Sequence, residues 1–141
     1  MPLLTLKAAN QIAAATLAKG RDLGLKPLCV AVLDPGGHLI TLQRETGASN
    51  LRPQIAIGKA ASALGMGVSS RAIADMAAER PTFVSALAAL APAGLVPAAG
   101  GVIIRGAEGH LGAVGVTGDT SDNDEACAIA GIAAAGLQSA A

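Results

Sequence analysis

Leu28-Cys-Val-Ala-Val-Leu-Asp34-Pro-Gly-Gly37-His38-Leu-Ile-Thr-Leu-Gln-Arg44 is the stretch whose reading decides the fold. Its first half is a short apolar run rich in branched residues, as a buried strand requires. Asp34-Pro-Gly-Gly37 is strong turn chemistry, because proline presets one backbone angle and glycine accepts angles that other residues avoid. His38 to Arg44 then reads as the return strand. Residues 28–44 are therefore a β-hairpin. The pattern recurs later: Gly100-Gly-Val-Ile-Ile-Arg105 is a strand, Gly106-Ala-Glu-Gly109 a turn, and His110 to Thr117 the return strand.

Helical periodicity fills the space around the hairpins. Thr5 is a suitable N-cap for a first helix carrying Leu6, Ala9, Ile12, Ala13 and Leu17, which runs to about Arg21 or Asp22 before Gly24. Pro53 opens a second helix with Ile55, Ile57, Ala60, Ala61 and Leu64, ended by Gly65 and Gly67. Ser69 or Ser70 caps a third through about Glu79, and Pro81 begins a short one to Leu90. Residues 91–99 form a Pro/Gly loop with room for one short extended piece. Ser121 is the expected N-cap of the last helix, whose first turn holds Asp122, Asp124 and Glu125, complementing the helix dipole. Helix, hairpin, helices, hairpin, helix predicts one α+β domain over residues 1–141, with a central antiparallel sheet of two hairpins, room for a fifth short strand, and flanking helices.

Composition removes several function classes. Hydrophobic residues make up 52% of the 141 and charged residues only 14%, so the chain can bury a core and disorder is excluded. No run reaches the ~18 apolar residues of a membrane-spanning helix, so no membrane partner is expected. Net charge is zero, Trp and Tyr are absent and Phe occurs once, so no basic or stacking face exists for nucleic acid. Cys29 and Cys127 match no metal-site spacing, and the opening residues lack the pattern of a secretory signal. The expectation is a reduced, cytoplasmic protein. Small side chains bury little area each, which predicts a thin core helped by a homo-oligomer interface.

Several residues could carry chemistry. Gly112-Ala-Val-Gly-Val-Thr-Gly118 leads a glycine-relieved strand into a helix N-terminus, as either a packing contact or a pocket wall. It does not match a dinucleotide-binding fingerprint, and no phosphate-binding Gly-Lys-Ser/Thr loop is present. His38 and His110 occupy similar places in the two hairpins and are candidates for acid–base work or metal ligation. Cys127 reads as a buried structural thiol. Lys59, on an otherwise apolar helix, either snorkels to solvent or faces a pocket. Arg44 ends a strand beside a polar loop that contains Asn50 and Arg52.

Asp34-Pro-Gly-Gly-His-Leu with Arg44, Ile57-Gly-Lys-Ala60, Pro97-Ala-Ala-Gly-Gly-Val-Ile-Ile104, and Gly112 to Gly118 followed by Asp124-Glu125 and Ala130-Gly131 together resemble the GlcG/HbpS family, the haem-degrading domain family. The resemblance covers nearly the whole chain. It implies a profilin-like domain, similar to the PduO C-terminal domain, that is oligomeric and holds a small molecule, with haem or another tetrapyrrole as the candidate cofactor. The implied ligand-binding residues are Arg44, Arg52, Lys59, Gly100, Gly101, Thr117 and Gly118. Iron ligation would fall to His38, His110, Cys127 or Thr117. One alternative is a cofactor-independent isomerase, tautomerase or hydrolase acting on a small carboxylated metabolite, with Asp119, Asp124, Glu125 or His38 moving the proton. Another is a non-catalytic accessory subunit. The pocket is expected between the second hairpin, the Gly118–Glu125 segment and the helix of Lys59, where Lys59→Ala and Arg44→Ala should weaken acidic ligands and leave the fold intact.

Overall fold

A computed structural model describes residues 3–140. Five helices, α1 (Leu6–Asp22), α2 (Arg52–Met66), α3 (Ser70–Glu79), α4 (Pro81–Leu87) and α5 (Ser121–Ala134), surround five strands. The strands are β1 (Cys29–Leu33), β2 (Leu39–Arg44), β3 (Gly101–Gly106), β4 (Gly109–Thr117) and β5 (Gln138–Ala140). They form one antiparallel sheet in the order β2-β1-β4-β3-β5. Both expected hairpins are present, joined through the central β1–β4 pair. No helix among the described residues is long and apolar enough to cross a membrane.

The strand period of two sorts the core. Val30, Val32, Val102, Ile104, Val114 and Val116 face α1 and α5, packing with Ile12, Ala13, Cys127 and Ile132. The opposite face carries Cys29, Ala31, Leu33 and Ala113 against Ala56 and Ala60 of α2. Glycine lets α2 press close. A Cβ at Gly115 would overlap the Ala56 carbonyl oxygen, and one at Gly101 would overlap the Lys59 carbonyl. The third close contact joins α1 and α5, where a Cβ at Gly131 would strike Thr16 Oγ1.

Several details differ from the sequence reading. Gly65 lies inside α2, and the helix ends at Gly67, whose left-handed φ of 72° closes it by an αL turn. Thr120, not Ser121, is the N-cap of α5, its side chain accepting from the Asn123 amide. The helix α4 stops at Leu87 rather than Leu90. Residues 91–99 contain no strand; the fifth strand is the C-terminal β5, which pairs with β3 after the chain leaves α5.

Candidate functional site

The sheet has two chemically different ends. At one end Cys29 of β1 pairs with Arg44 of β2 and Thr117 of β4, so these three residues lie in one row. Arg52, in the first turn of α2, donates from Nη1 to Thr117 Oγ1 at 2.8 Å and from Nε to Ser49 Oγ at 3.2 Å. Arg44 donates to the Ala48 carbonyl at 2.9 Å.

Lys59 belongs to this end but faces inward. It is 3% exposed, and its Nζ donates to Asp124 Oδ2 at 3.1 Å and to the Val116 carbonyl at 2.9 Å. Asp124 is 1% exposed, and its other oxygen accepts the Asp119 amide at 3.0 Å. The pair spans the sheet: α2 covers one face, α5 the other, and the lysine side chain passes the strand ends to join them. Gly100 makes the passage, since a Cβ there would stand 2.9 Å from Lys59 Nζ. Burial pushes the Asp124 carboxyl up and the Lys59 ammonium down, each opposed by the partner's charge. The space expected to be a pocket is thus filled by this pair. The lysine neither snorkels nor faces an opening.

The remaining acidic candidates also have partners. Asp119 accepts from Asn123 Nδ2 and from the Thr120 and Lys26 amides, bonds that lower its carboxyl to about 2. Glu125 and Asp122 hold the Arg71 guanidinium from α3. Gly118 packs against Leu28, where a Cβ would meet the Pro27 carbonyl, and Gly101 packs against α2. Cys127 is buried, and burial raises its thiol; at Cys29 the same cause raises the thiol to about 11.

His38 and His110 lie at the opposite end, with the hairpin turns. His110 and Thr117 are seven positions apart along β4, roughly 23 Å at strand rise. That is far beyond the reach from iron to propionate within one porphyrin. The structure therefore does not bring the histidines together with Arg44, Arg52 and Lys59. His38 Nδ1 lies 3.2 Å from Asp34 Oδ1, while the same carboxylate oxygen accepts the His38 and Gly36 amides. These bonds hold the Asp34 carboxyl below the usual range. The ring is exposed, and with Nδ1 toward the carboxylate its Nε2 is the nitrogen left for another partner, a pairing common among metal-binding imidazoles.

Beside that turn is an open groove of about 400 Å³. Its walls are Pro35 to Gly37, the flank of α2 (Ala61, Leu64, Met66) and the segment Leu87 to Leu95. The His38 ring rests against Gly36, one of these lining residues: a Cβ at position 36 would come 2.9 Å from its Cε1. The volume lies in the range of small-molecule sites, and the walls are predominantly apolar. Sequence reading missed this groove. The signal was present, because Ala61, Leu64 and Gly65 widen the apolar face of a helix beyond what the sheet alone buries. Among the described residues, no three His, Cys, Asp or Glu side chains cluster as a metal site.

A family model described as haem-degrading protein, HbpS-like, matches residues 4–133. The crystal structure of HbpS is 28% identical, covers 94% of this chain and 90% of its own, and superposes with a TM-score of 0.82. Klebsiella pneumoniae protein ORFY is also 28% identical, with the same coverages and a TM-score of 0.84. The PduOC–haem complex shares the fold at 20% identity, covering 96% of this chain and 97% of its own, with a TM-score of 0.86. No curated protein matches the sequence.

Proposed function

This chain belongs to the HbpS-like family of haem-degrading proteins, and from that premise we propose that it binds haem or a related tetrapyrrole in the groove beside the β1–β2 turn. The observation that carries this reading is the pairing of an apolar groove of about 400 Å³ with an adjoining, exposed histidine whose Nδ1 lies 3.2 Å from the Asp34 carboxylate. The apolar walls suit the porphyrin faces, His38 Nε2 is the iron-ligand candidate, and the Met66 thioether is a second soft donor on the wall. The propionates would extend into water, since the groove walls bear no cation. Bound haem would supply iron-centred redox and gas-binding chemistry. The chain's own part is to orient the ring, fix the imidazole and exclude water from one face.

The cofactor-independent enzyme reading has weaker support. Its strongest acid–base pair, Lys59 with Asp124, is closed on itself and buried.

Titrating the purified protein with haemin and following the Soret band tests the proposal. A saturable shift is expected, weakened about tenfold or more, ~1.4 kcal/mol, in His38→Ala and in Met66→Glu, with His110→Ala unchanged. A non-saturating response, or saturation indifferent to both groove variants, overturns it.

A further inference from the structure

The groove has one fixed wall and one that is barely attached. Segment 81–95 leaves α3 at Arg80, which is at once the C-cap of α3 and the N-cap of α4 and makes no side-chain capping bond to α4. Its helix α4 packs on α3 and on no other helix or strand among the described residues. Val84 is the one buried residue of α4. The segment's backbone bonds are local: Val84 to Arg80, Leu90 to Leu87, Gly94 to Ala91. The Ala93 carbonyl comes near Gly58 of α2, and the first hydrogen bond to the body is at Val96, whose amide donates to Ser62 Oγ at 2.9 Å. That valine seats against Gly58, where a Cβ would come 2.7 Å from its Cγ2. Ser62 is itself fixed by donating to the Gly58 carbonyl at 2.6 Å. Between these two anchors the segment contributes Leu87, Leu90 and Leu95 to the groove, and Leu90 is 78% exposed.

We propose that residues 81–95 form a strap that opens as a unit about Arg80 and the Val96–Ser62 anchor, admitting the ligand and closing its leucines over it. The closure rests on the groove being the ligand site; the opening does not. A segment with few buried contacts and no hydrogen bonds to the body belongs to the least stable part of a fold, where gating elements are drawn from. Gly94, with φ 82°, lets the strap turn back toward α2 at an angle other residues adopt with strain.

Hydrogen exchange on the full-length protein, with and without haemin, tests this. In the ligand-free protein the hydrogen-bonded amides of α4 are expected to exchange at least a hundredfold faster than those of α2. Ser62→Ala should speed residues 82–95 several-fold more and leave α1 unchanged. Strap amides as slow as those of α2, or indifferent to Ser62→Ala, overturn the strap whatever haemin does. Saturating haemin should slow them at least tenfold; if it binds without slowing them, closure is overturned. If haemin does not bind but the ligand-free exchange is as expected, the ligand reading fails and the opening stands.

Discussion

Lys59 shows how one residue can be misread in a sequence and still be decisive. A cation on an apolar helix suggests a ligand contact, yet here its charge is used internally, against Asp124 and the Val116 carbonyl. Burial disfavours both charges, so the pair adds little net stability, but breaking it strands one ion in the interior. Lys59→Met should therefore cost on the order of 3–5 kcal/mol in urea unfolding, and Lys59→Met with Asp124→Leu should recover most of that loss. This replaces the expectation that Lys59→Ala leaves the fold intact. The pH dependence has a definite sign. Burial already raises the Asp124 carboxyl, and removing the lysine raises it further. A raised folded-state value means stability that is present at low pH and lost as pH rises through it. The deficit of Lys59→Met relative to the parent should thus be larger at pH 8 than at pH 5; an equal deficit at both would mean that Asp124 is already ionised at pH 5 in the folded variant, its carboxyl not raised into that range.

At the scale of elements, the distance between α2 and the sheet is set by hydrogen atoms at Gly101 and Gly115. A methyl at either site meets helix backbone, which cannot rotate away as a side chain could. Gly101→Ala and Gly115→Ala should each destabilise by about 2–3 kcal/mol or more. Gly65→Ala is the contrasting case. It sits inside α2 with no atom near the added carbon, so it should stabilise by ~0.5–1 kcal/mol through helix propensity alone. If all three changes behave alike in thermal unfolding, the close-approach account fails.

For the whole molecule, the accessible surface of 6932 Å² is near the ~6,600 Å² expected of a compact monomer of this mass, so no open arm demands a partner. The pressure towards assembly comes instead from composition: Leu39, Leu51, Phe83 and Leu90 remain exposed over a core built mainly of Ala, Val and Ile. Our proposal is a homo-oligomer, and light scattering at micromolar protein should give at least twice the subunit mass. A stable monomer would leave those side chains as ordinary surface.

The sequence alone was enough for the two hairpins, the five helices and their order, because turn chemistry and hydrophobic period act over a few residues. Asp34-Pro-Gly-Gly37 can only turn, and Leu6 to Leu17 can only lay one face on a core. The same local signals placed the N-caps within one residue, Thr120 standing where Ser121 was expected. The family was also legible, in motifs spread along most of the chain. The tertiary structure decided what those signals do not encode. Which strand edge receives the C-terminal residues, and which end of the sheet holds each candidate, depend on contacts between residues far apart in sequence. So Lys59 and Asp124, 65 positions apart, met as a closed pair, while His38 was carried to the far end from Arg44 although only six positions separate them. A strand rises about 3.3 Å per residue, so a few residues of extended chain suffice to move a side chain from one site to another.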